Sequence, residues 1–405
     1  MNNLNNLIFG IIFFQIIINI NCQQYVPVGK FFHTATLVET KIYFLGGKNN
    51  DSISTNDFFF LDISKSFNKT EALPFKNVTL DLIMPKHYGA GTTVFGKSKN
   101  SIFFFGGDMG VLQDKNSSVY TLDTTKLPSG WQEIIQDTVD RRRLLSVTAD
   151  NNNKIFLFGG GGGGNFGDTK YIRYNTMNIF NISTQDWYVG TIENTLIKRE
   201  GHTGTFLSDT GEIIYIGGRS DNGLLIDMTN LDVYDTINDK WVQWSTRNPP
   251  EQRCLHTAVL TNDNRIILFG GVNGLTPVKN YYVVLNVKTL EWYHGNGSLS
   301  TRAPYRGHTA TLYNDYMFIA FGQGTDQQFS DDVLIYIIGD YANFTEVNYY
   351  NVINKIVPKS PNNIIIGSII SSIIAIGFIG FIIFKYNILK LKMGKRPPAF
   401  IINIP

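Results

Sequence analysis

The chain of 405 residues has a formal net charge of +2, from 35 basic and 33 acidic residues. Five of the basic residues lie in Lys385–Pro405, so the rest of the chain has 30 basic against 33 acidic residues. A nucleic-acid-binding surface needs clustered positive charge, and this balance argues against such a partner. The two cysteines, Cys22 and Cys254, cannot form a disulfide framework, so burial must hold the fold together.

The chain begins with a short apolar segment. Its core, Leu7–Ile20, is interrupted by Gln15 and Asn19, and a polar region starts at Gln23. The segment is too short to span a bilayer comfortably, which favours a secretory signal peptide over residues 1–22. It lacks Lys and Arg ahead of the apolar core, so an uncleaved anchor is the alternative.

A second apolar segment, Ile364–Phe384, has 21 residues and no charge. At about 1.5 Å per residue a helix of this length reaches roughly 31 Å, enough to cross the hydrocarbon core. The basic segment that follows predicts a cytoplasmic C-terminus. We therefore expect a type I single-pass protein of the plasma membrane or an endomembrane. Its parts would be an ectodomain over 23–350, a linker over 351–363, a transmembrane helix over 364–384 and a basic tail over 385–405.

Small residues lie four apart in the predicted span, at Gly367, Ser371 and Ala375. They share one helix face, and such spacing allows two helices to approach closely. Dimerisation through the span is one interpretation, and plain lipid-compatible composition is the other.

Between the two apolar segments one pattern occurs six times: an apolar strand, a short polar turn, and a second apolar strand that ends in glycine. The copies are His33–Gly47, His87–Gly107, Leu145–Gly160, His202–Gly218, Arg253–Gly271 and His308–Gly324. Their first glycines lie 52–60 residues apart. A fixed period near fifty predicts a propeller.

Each copy continues with two further strands. The predicted third strands are Phe58–Ile63, Val119–Leu122, Tyr171–Tyr174, Leu231–Tyr234, Tyr281–Val287 and Val333–Ile338. The fourth strands open at Trp131, Trp187, Trp241, Trp292 and Phe344, and the first copy has a less clear Leu73–Leu82. The predicted fold is therefore an all-β, six-bladed β-propeller followed by one C-terminal transmembrane helix. Two closures stay open, one in which Phe344–Tyr350 completes the sixth blade and one in which Gln23–Val28 closes the ring.

The pattern R-x-x-H-T, an apolar strand ending in Gly-Gly, a Tyr-containing strand and a Trp resembles the kelch repeat. The resemblance covers about Lys30–Tyr350 and implies a kelch-type propeller, similar to that of galactose oxidase and of many non-enzymatic kelch proteins. The third copy departs from the pattern because it lacks the His. The sixth departs because it reads Gly-Gln, at Gly322 and Gln323, where the others read Gly-Gly.

The loops between second and third strands are longer than the turns between first and second strands, which favours binding at the face that holds the Gly-Gly pairs. The same face holds the basic residues that precede several first strands. We interpret Arg199, Arg253 and Arg306 as candidate ligands for an acidic peptide or glycan. The alternative is structural, with these side chains donating to backbone carbonyls.

Five histidines recur at one repeat position or close to it, at His33, His87, His202, His256 and His308. Since each belongs to a different copy, packing is favoured over metal binding. Gly159–Gly164 resembles a phosphate loop, but no Lys-Ser/Thr follows. The resemblance to galactose oxidase implies, as the competing function, a copper enzyme with a Tyr–Cys cross-link. Cys254 occupies a variable repeat position, with no tyrosine marked as its partner.

The sequence thus predicts a non-catalytic, membrane-anchored binding module for a protein or glycan, without a cofactor or metal site. The alternative is a copper-dependent enzyme of galactose-oxidase type in the secretory pathway. Seven Asn-x-Ser/Thr sequons lie between the two apolar segments and are candidates for glycosylation. They are Asn50, Asn68, Asn77, Asn116, Asn181, Asn296 and Asn343.

Overall fold

The computed structural model describes residues 24–78, 84–110, 119–136, 138–163, 171–193, 196–295, 297 and 299–352. The chain divides into Met1–Val352 and Ile353–Pro405, and all the described residues belong to the first unit. The predicted signal peptide, 1–22, and the predicted linker, span and tail from residue 353 onward lie outside the described residues. Within those ranges, no helix has the length and apolarity that a bilayer span requires.

Six four-stranded antiparallel sheets follow one another along the chain, and we number them blades 1 to 6. The strands are Thr34–Val38, Lys41–Leu45, Phe58–Asp62 and Phe75–Asn77 in blade 1; Gly91–Phe95, Ser101–Phe105, Val119–Asp123 and Gln132–Ile134 in blade 2; Ser146–Ala149, Lys154–Phe158, Met177–Asn181 and Asp186–Val189 in blade 3; Thr203–Leu207, Glu212–Ile216, Asn230–Asp235 and Lys240–Ser245 in blade 4; Thr257–Leu260, Arg265–Phe269, Tyr282–Asn286 and Glu291–His294 in blade 5; and Thr309–Tyr313, Tyr316–Ala320, Val333–Ile338 and Phe344–Val347 in blade 6. The predicted six-bladed, all-β propeller is confirmed.

Among the described residues, shorter elements lie in the segments that connect the blade strands. Four two-stranded sheets pair Gly161–Gly163 with Tyr171–Arg173, Arg199–Glu200 with Arg219–Ser220, Val272–Asn273 with Thr276–Pro277, and Phe67–Asn68 with Tyr349–Tyr350. A 3-10 helix, Thr124–Lys126, follows the third strand of blade 2.

The core consists of one apolar cluster between each pair of neighbouring blades. Between blades 1 and 2, for example, Tyr43 and Phe58 pack with Ile102 and Trp131. The second strands are almost wholly buried, as in Arg265–Phe269, because each sheet is covered on both faces by its neighbours. Burial of these runs is what the apolar sequence pattern predicted.

The ring closes without exchange of strands between the first and last blades. Blade 6 supplies its own fourth strand, Phe344–Val347, which confirms the first of the two closures left open. The first strands of blades 1 and 6 contact each other, as those of every other neighbouring pair do. Tyr349 and Tyr350 then pair with Phe67–Asn68 of blade 1, which fastens the end of the propeller to its beginning.

Two repeat assignments are wrong in register. In blade 3 the third strand is Met177–Asn181, not Tyr171–Tyr174. Its apolar side chains are buried, whereas Tyr171–Arg173 is only partly buried and pairs with Gly161–Gly163 in a hairpin outside the blade. In blade 6 the Gly-Gly positions are occupied by Phe321 and Gly322, with φ of +57° and +88°. Gln323 therefore lies one residue beyond the pair.

Candidate binding surface on the Gly-Gly face

The second strands end at one face of the propeller, and the chain also crosses from blade to blade there. We call it the Gly-Gly face. In each blade, a residue just before the first strand pairs with the residue just after the Gly-Gly positions. These six rim pairs are Phe31–Lys48, Tyr88–Asp108, Arg143–Gly161, Glu200–Arg219, Cys254–Val272 and Arg306–Gln323. The rim pairs bring the ends of the second-to-third loops to the innermost part of the face.

A ring of backbone hydrogen bonds lies directly beside the rim pairs. Its six members all have positive φ: Phe32, Gly89, Leu144, Gly201, Leu255 and Gly307. The amide of one member donates to the carbonyl of the member in the preceding blade, from Phe32 to Gly307 (2.9 Å), Gly89 to Phe32 (2.8 Å), Leu144 to Gly89 (2.8 Å), Gly201 to Leu144 (2.8 Å) and Leu255 to Gly201 (2.7 Å). Large side chains therefore alternate with glycine around the ring.

The alternation has a steric reason. A Cβ on Gly201 would lie 2.7 Å from Cδ2 of Leu255, and a Cβ on Gly307 would lie 2.2 Å from the ring of Phe31. Glycine in blades 4 and 6 thus leaves room for the large residues of blades 5 and 1. Phe32, Leu144 and Leu255 are half-buried and give the centre of the face an apolar floor.

Charged and aromatic side chains of blades 1 to 3 border this floor, and we call them, with their continuation in blade 4, the wall. The Tyr88 hydroxyl donates to Oδ2 of Asp108 (2.7 Å), and Arg143 donates to the same carboxylate (2.6 Å). The ammonium of Lys48 lies 4.2 Å from the centre of the Tyr88 ring. Burial alone would raise the pKa of Asp108, but the donors Tyr88 and Arg143 and the amide of Gly110 hold it below its usual value. The wall is therefore charged at neutral pH.

The wall continues into blade 4 at Glu200, whose side chain is almost fully buried. Its carboxylate accepts from the hydroxyl of Tyr171, from Nη2 of Arg173 (2.8 Å) and from Nη2 of Arg219 (2.9 Å). Burial raises the pKa of Glu200, but these three donors outweigh it and hold the pKa below its usual value. Gly161 makes the arrangement possible, since a Cβ there would lie 2.4 Å from the Tyr171 hydroxyl.

The three candidate arginines separate into two groups. Arg199 and Arg253 are buried, with exposed fractions of 1% and 0%. Arg199 is paired with Asp232, and Arg253 donates to the carbonyls of Gly270 (3.0 Å) and Asn280 (3.0 Å). Both support the loops of their own blades, so the structure does not offer them to a ligand.

Arg306 belongs to a rim pair instead. Its Nε donates to Oε1 of Gln323 (2.9 Å), and its guanidinium lies 5.7 Å from the ring centre of Phe31. Tyr305 in blade 6 and Arg142 in blade 3 occupy the buried repeat position that Arg253 fills in blade 5. In all three, the carbonyl of the residue accepts a hydrogen bond from the amide of the second glycine of the preceding blade. Arg142 was missed because its copy lacks the histidine that marked the others.

Four of the five histidines do share one repeat position, and three of them bond to the neighbouring blade. His33 pairs with Thr309 (3.0 Å), His256 with Thr203 (3.2 Å) and His308 with Thr257 (3.0 Å). His87 is the exception and fills the buried position equivalent to Arg253. Burial lowers the pKa of His308 to about 4, so this imidazole is neutral at pH 7.

Cys254 is buried and packs with Val272 and Tyr305 in a small apolar cluster on the rim. Burial raises the pKa of its thiol to about 11, so the thiol is protonated at neutral pH. In the described ranges, no three His, Cys, Asp or Glu side chains are placed to hold a metal ion. Of the run Gly159–Gly164, the part up to Gly163 belongs to the blade 3 loop, and Gly164 lies outside the described residues.

The tips of three loops on this face carry exposed aliphatic side chains that sequence reasoning missed. Ile53 in blade 1, Leu224 in blade 4 and Leu275 in blade 5 are 55%, 65% and 85% exposed. Two of the tips repeat the tripeptide Asn-Gly-Leu, at 222–224 and 273–275. Comparison of the loops, rather than of the strands, would have found them.

The candidate sequons are spread over several surfaces. Asn50 lies in the loop tip of blade 1 on the Gly-Gly face, and Asn77 in the outer strand of the same blade. Asn68 and Asn343 lie in connections between third and fourth strands, and Asn181 is the last residue of the third strand of blade 3. Asn116 and Asn296 lie outside the described residues. Asn50, Asn77 and Asn343 are exposed, whereas Asn68 and Asn181 are half-buried.

Comparison with known families and proteins points to one class. The model of the KLHDC2/KLHL20/DRC7 Kelch-repeats domain matches residues 32–247 and 161–351. The solved structure titled "Structure of YjhT" superimposes with a TM-score of 0.60 at 15% identity, over 80% of this chain and 99% of that one. At this identity the likeness shows the fold alone.

Curated relatives match at 25–29% identity over parts of the chain. Kelch domain-containing protein 2 of Bos taurus is 25% identical over 62% of this chain and 63% of its own. The dynein alpha chain of the flagellar outer arm of Chlamydomonas reinhardtii is 26% identical over 36% of this chain and 3% of its own. An F-box/kelch-repeat protein of Arabidopsis thaliana is 29% identical over 27% of this chain and 24% of its own. The chain thus spans less than two thirds of each of these relatives.

Proposed function

The chain belongs to the kelch-repeat family, and we propose that its propeller is a non-catalytic protein-binding module that uses the Gly-Gly face. The observation that carries the proposal is the prebuilt surface around the ring: an apolar floor at Phe32, Leu144 and Leu255 inside a wall of paired charges and aromatic rings. A surface whose side chains are already held by hydrogen bonds loses little entropy on binding.

The chemistry of the wall favours a partner with acidic and apolar side chains. Basic residues outnumber acidic ones around the floor, with Lys48, Arg143, Arg173, Arg219 and Arg306 against Asp108 and Glu200. Among the described residues, Nε of Arg306 has a hydrogen bond to a protein acceptor and its Nη groups have none, so these Nη donors face fewer competitors than those of Arg173 or Arg219. A protein is favoured over a glycan because kelch propellers generally bind proteins.

We also propose that a membrane presents the propeller on its non-cytoplasmic side. Support comes from the sequence: the signal-like segment over 1–22, the uncharged segment over 364–384 and the basic tail over 385–405. Expression of the full chain with a C-terminal epitope tag in cells with a secretory pathway tests the topology. We expect protease added outside intact cells to spare the tag, protease added outside sealed microsomes to remove it, and an N-glycosidase to shorten the chain on a gel. A glycan-free chain recovered from the soluble fraction would contradict the proposal.

The binding proposal is tested by exchanging charges on opposite faces. Arg306→Glu alters the Gly-Gly face, and Lys288→Glu alters an exposed lysine in the third-to-fourth turn of blade 5. Full-length wild-type and variant chains are used as baits for biotinylated surface proteins, with quantitative mass spectrometry. We expect the proteins enriched by wild type to be retained by Lys288→Glu and lost by Arg306→Glu. The opposite pattern would overturn the assignment of the face.

A further inference from the structure

We propose that the propeller opens in mild acid, at about pH 5, and thereby releases a partner held on the Gly-Gly face. The release rests on the proposed function, whereas the acid opening does not. The inference starts from buried histidines at the contacts between neighbouring blades, which we call seams. In the described part of the chain, every seam except that between blades 2 and 3 contains one. They are His87, His202, His256, His308 and His33, with exposed fractions of 0–6%.

Each of these imidazoles is enclosed by two blades. The first glycine of one blade leaves room for the imidazole of the next, since a Cβ on Gly270 would lie 2.6 Å from Cε1 of His308. Further pairs of this kind are Gly46 with His87, Gly159 with His202, and Gly217 with His256. At the seam between blades 6 and 1, the ring of His33 instead meets the ring of Phe321 edge-on at 5.1 Å. A proton on such a ring would therefore bury a charge that water hydrates poorly.

Hydrogen bonds join four of these seams into one series. His33, His256 and His308 each pair with a threonine of the preceding blade, at 3.0–3.2 Å. In each case this threonine directly follows the histidine of its own blade, as in His256–Thr257. An imidazole that is displaced on protonation thus disturbs the residue beside the next imidazole. We therefore expect the seams from blade 3 round to blade 1 to open together.

Cations rather than carboxylates face the imidazoles. Among the described residues, the titratable groups that act on them are Lys30 and His308 at His33, Arg199 and His256 at His202, and Arg253 and His308 at His256. The rings of His308 and His87 also face the carbonyl oxygens of Phe269 and Pro85. The nearby carboxylates lie with the cations, as Asp57 with Lys30, Asp232 with Arg199, and Glu251 with Arg253. At three of the seams a proton would therefore add a second positive charge to one already buried.

Burial keeps these imidazoles neutral in the folded protein. It lowers the pKa of His308 and His87 to about 4 and, together with Arg253, that of His256 to about 3. Burial and the neighbouring cations also hold the pKa of His33 and His202 well below 6.5. Histidines in an opened protein take up protons below about pH 6.5, so the stability is full above this pH and falls as the pH drops towards about 4.

The effect multiplies over the seams. At about pH 5, a histidine that is neutral when enclosed and ordinary when exposed shifts the equilibrium about thirtyfold towards the open state. Five independent shifts of this size multiply to about 10⁷-fold. An equilibrium constant of about 10³–10⁸ holds a typical domain folded, so acid of this strength removes most of the stability.

Opening at these seams would also take the binding surface apart. The amide of Phe32 donates to the carbonyl of Gly307 across the seam between blades 6 and 1 (2.9 Å), and that of Leu255 donates to Gly201 across the seam between blades 4 and 5 (2.7 Å). The floor residues Phe32, Leu144 and Leu255 belong to blades 1, 3 and 5. Because each comes from a different blade, separation of the blades removes the floor on which a partner would bind.

The first test counts the protons that the chain takes up on opening. Urea unfolding of the full chain in detergent is followed by tryptophan fluorescence between about pH 5.5 and pH 7.5. The slope of the logarithm of the unfolding constant against pH gives the number of protons. We expect about four protons at about pH 5.5, where carboxylates contribute little, and about two fewer for His33→Gln/His308→Gln. Glutamine keeps a polar side chain in the seam but does not titrate.

His294→Gln is the matched control, since His294 is exposed in the outer strand of blade 5, and its slope should equal that of the wild type. An uptake of less than about one proton by the wild type would overturn the acid opening, and this measurement needs no variant to fold. A double variant with the wild-type slope would overturn it as well.

The second test separates opening from binding. Surface proteins captured by the full chain at about pH 7 are transferred to about pH 5, while tryptophan fluorescence reports the state of the propeller. We expect release in parallel with opening, and retention by His33→Gln/His308→Gln at the pH that releases half of the captured protein from the wild type. Release from a propeller that is still closed would overturn acid opening as its cause. A chain that opens in acid but captures nothing at neutral pH would instead overturn the proposed function and support the acid opening alone.

Discussion

The clearest separation between supporting and binding arginines is expected from Arg253→Met and Arg306→Ala. The guanidinium of Arg253 is buried and donates to the carbonyls of Gly270, Asn280 and Glu251 at 3.0, 3.0 and 3.2 Å. Burial lowers its pKa to about 10, so it stays charged at neutral pH. Methionine fills much of the volume of the arginine stem but provides no donor.

The magnitude follows from the carbonyls that lose their donor. A buried acceptor left without a partner costs about 1–3 kcal/mol of folding free energy. Part of this cost is offset because the variant no longer buries a charge whose Nη2 has no hydrogen-bond partner among the described residues. A net loss of about 2–4 kcal/mol is expected for Arg253→Met. With an unfolding entropy of about 2.1 cal/mol/K per residue over roughly 330 residues, this lowers the Tm by about 3–6 °C.

The assay is thermal unfolding of the full chain in detergent, with capture of the surface proteins enriched by the wild-type chain as the binding readout on the same samples. Arg306→Ala should change the Tm by less than about 1 °C, because its side chain is partly exposed and loses a single hydrogen bond. Arg302→Ala is the control, since its guanidinium is 66% exposed. An Arg253→Met variant with the wild-type Tm and no capture of these proteins would refute the assignment of Arg253 to the scaffold.

Three further outcomes are expected. Because burial lowers the pKa of His308 to about 4 against 6.5 in the unfolded chain, the folded state resists protonation and stability falls as the pH drops from about 6.5 towards 4. A plot of the free energy of unfolding against pH should therefore be shallower for His308→Gln, which escapes a loss of about 2 kcal/mol at pH 5, and equal slopes would show that this imidazole is not buried neutral. Gly161→Ala should displace the Tyr171 hydroxyl from Glu200 and lower the free energy of unfolding by about 1–3 kcal/mol; a crystal structure of the variant with that hydrogen bond intact would contradict it. Elemental analysis of the purified chain should find no stoichiometric copper, and electron paramagnetic resonance no tyrosyl radical; a copper signal with a radical assigned to a tyrosine beside Cys254 would instead support an oxidase.

The strands were predictable because their signal is apolar burial repeated six times. The run Arg265–Phe269 is buried as its sequence indicates, and its equivalents in the other blades pair in the same order. Blade 3 misled the prediction because Tyr171–Tyr174 has the alternating pattern of a core strand, whereas the core strand is Met177–Asn181, which ends five residues before the fourth strand begins at Asp186. Tyrosine serves both in cores and on binding surfaces, so the residue type alone does not separate the two.

The site was harder to predict because it depends on single-residue register. Before each first strand, successive residues point in opposite directions, as in any extended segment. Arg253 therefore points into its blade while Cys254 joins the rim, and in blade 6 Tyr305 and Arg306 divide in the same way. The motif R-x-x-H-T locates this segment to within a residue or two. That precision assigns the segment to a blade, but it does not tell whether a given side chain points into the blade or towards the rim.

This register also explains how one repeat can be both scaffold and binding surface. The carbonyl of the inward residue accepts from the second glycine of the preceding blade, from Gly271 to Tyr305 (2.6 Å) and from Gly218 to Arg253 (3.0 Å), so its main chain is fixed whatever its side chain. The next residue is fixed by its rim pair, yet its side chain faces the loops. Substitution at rim positions such as Arg306 therefore leaves the backbone ring intact, and a partner can be selected there at little cost in stability.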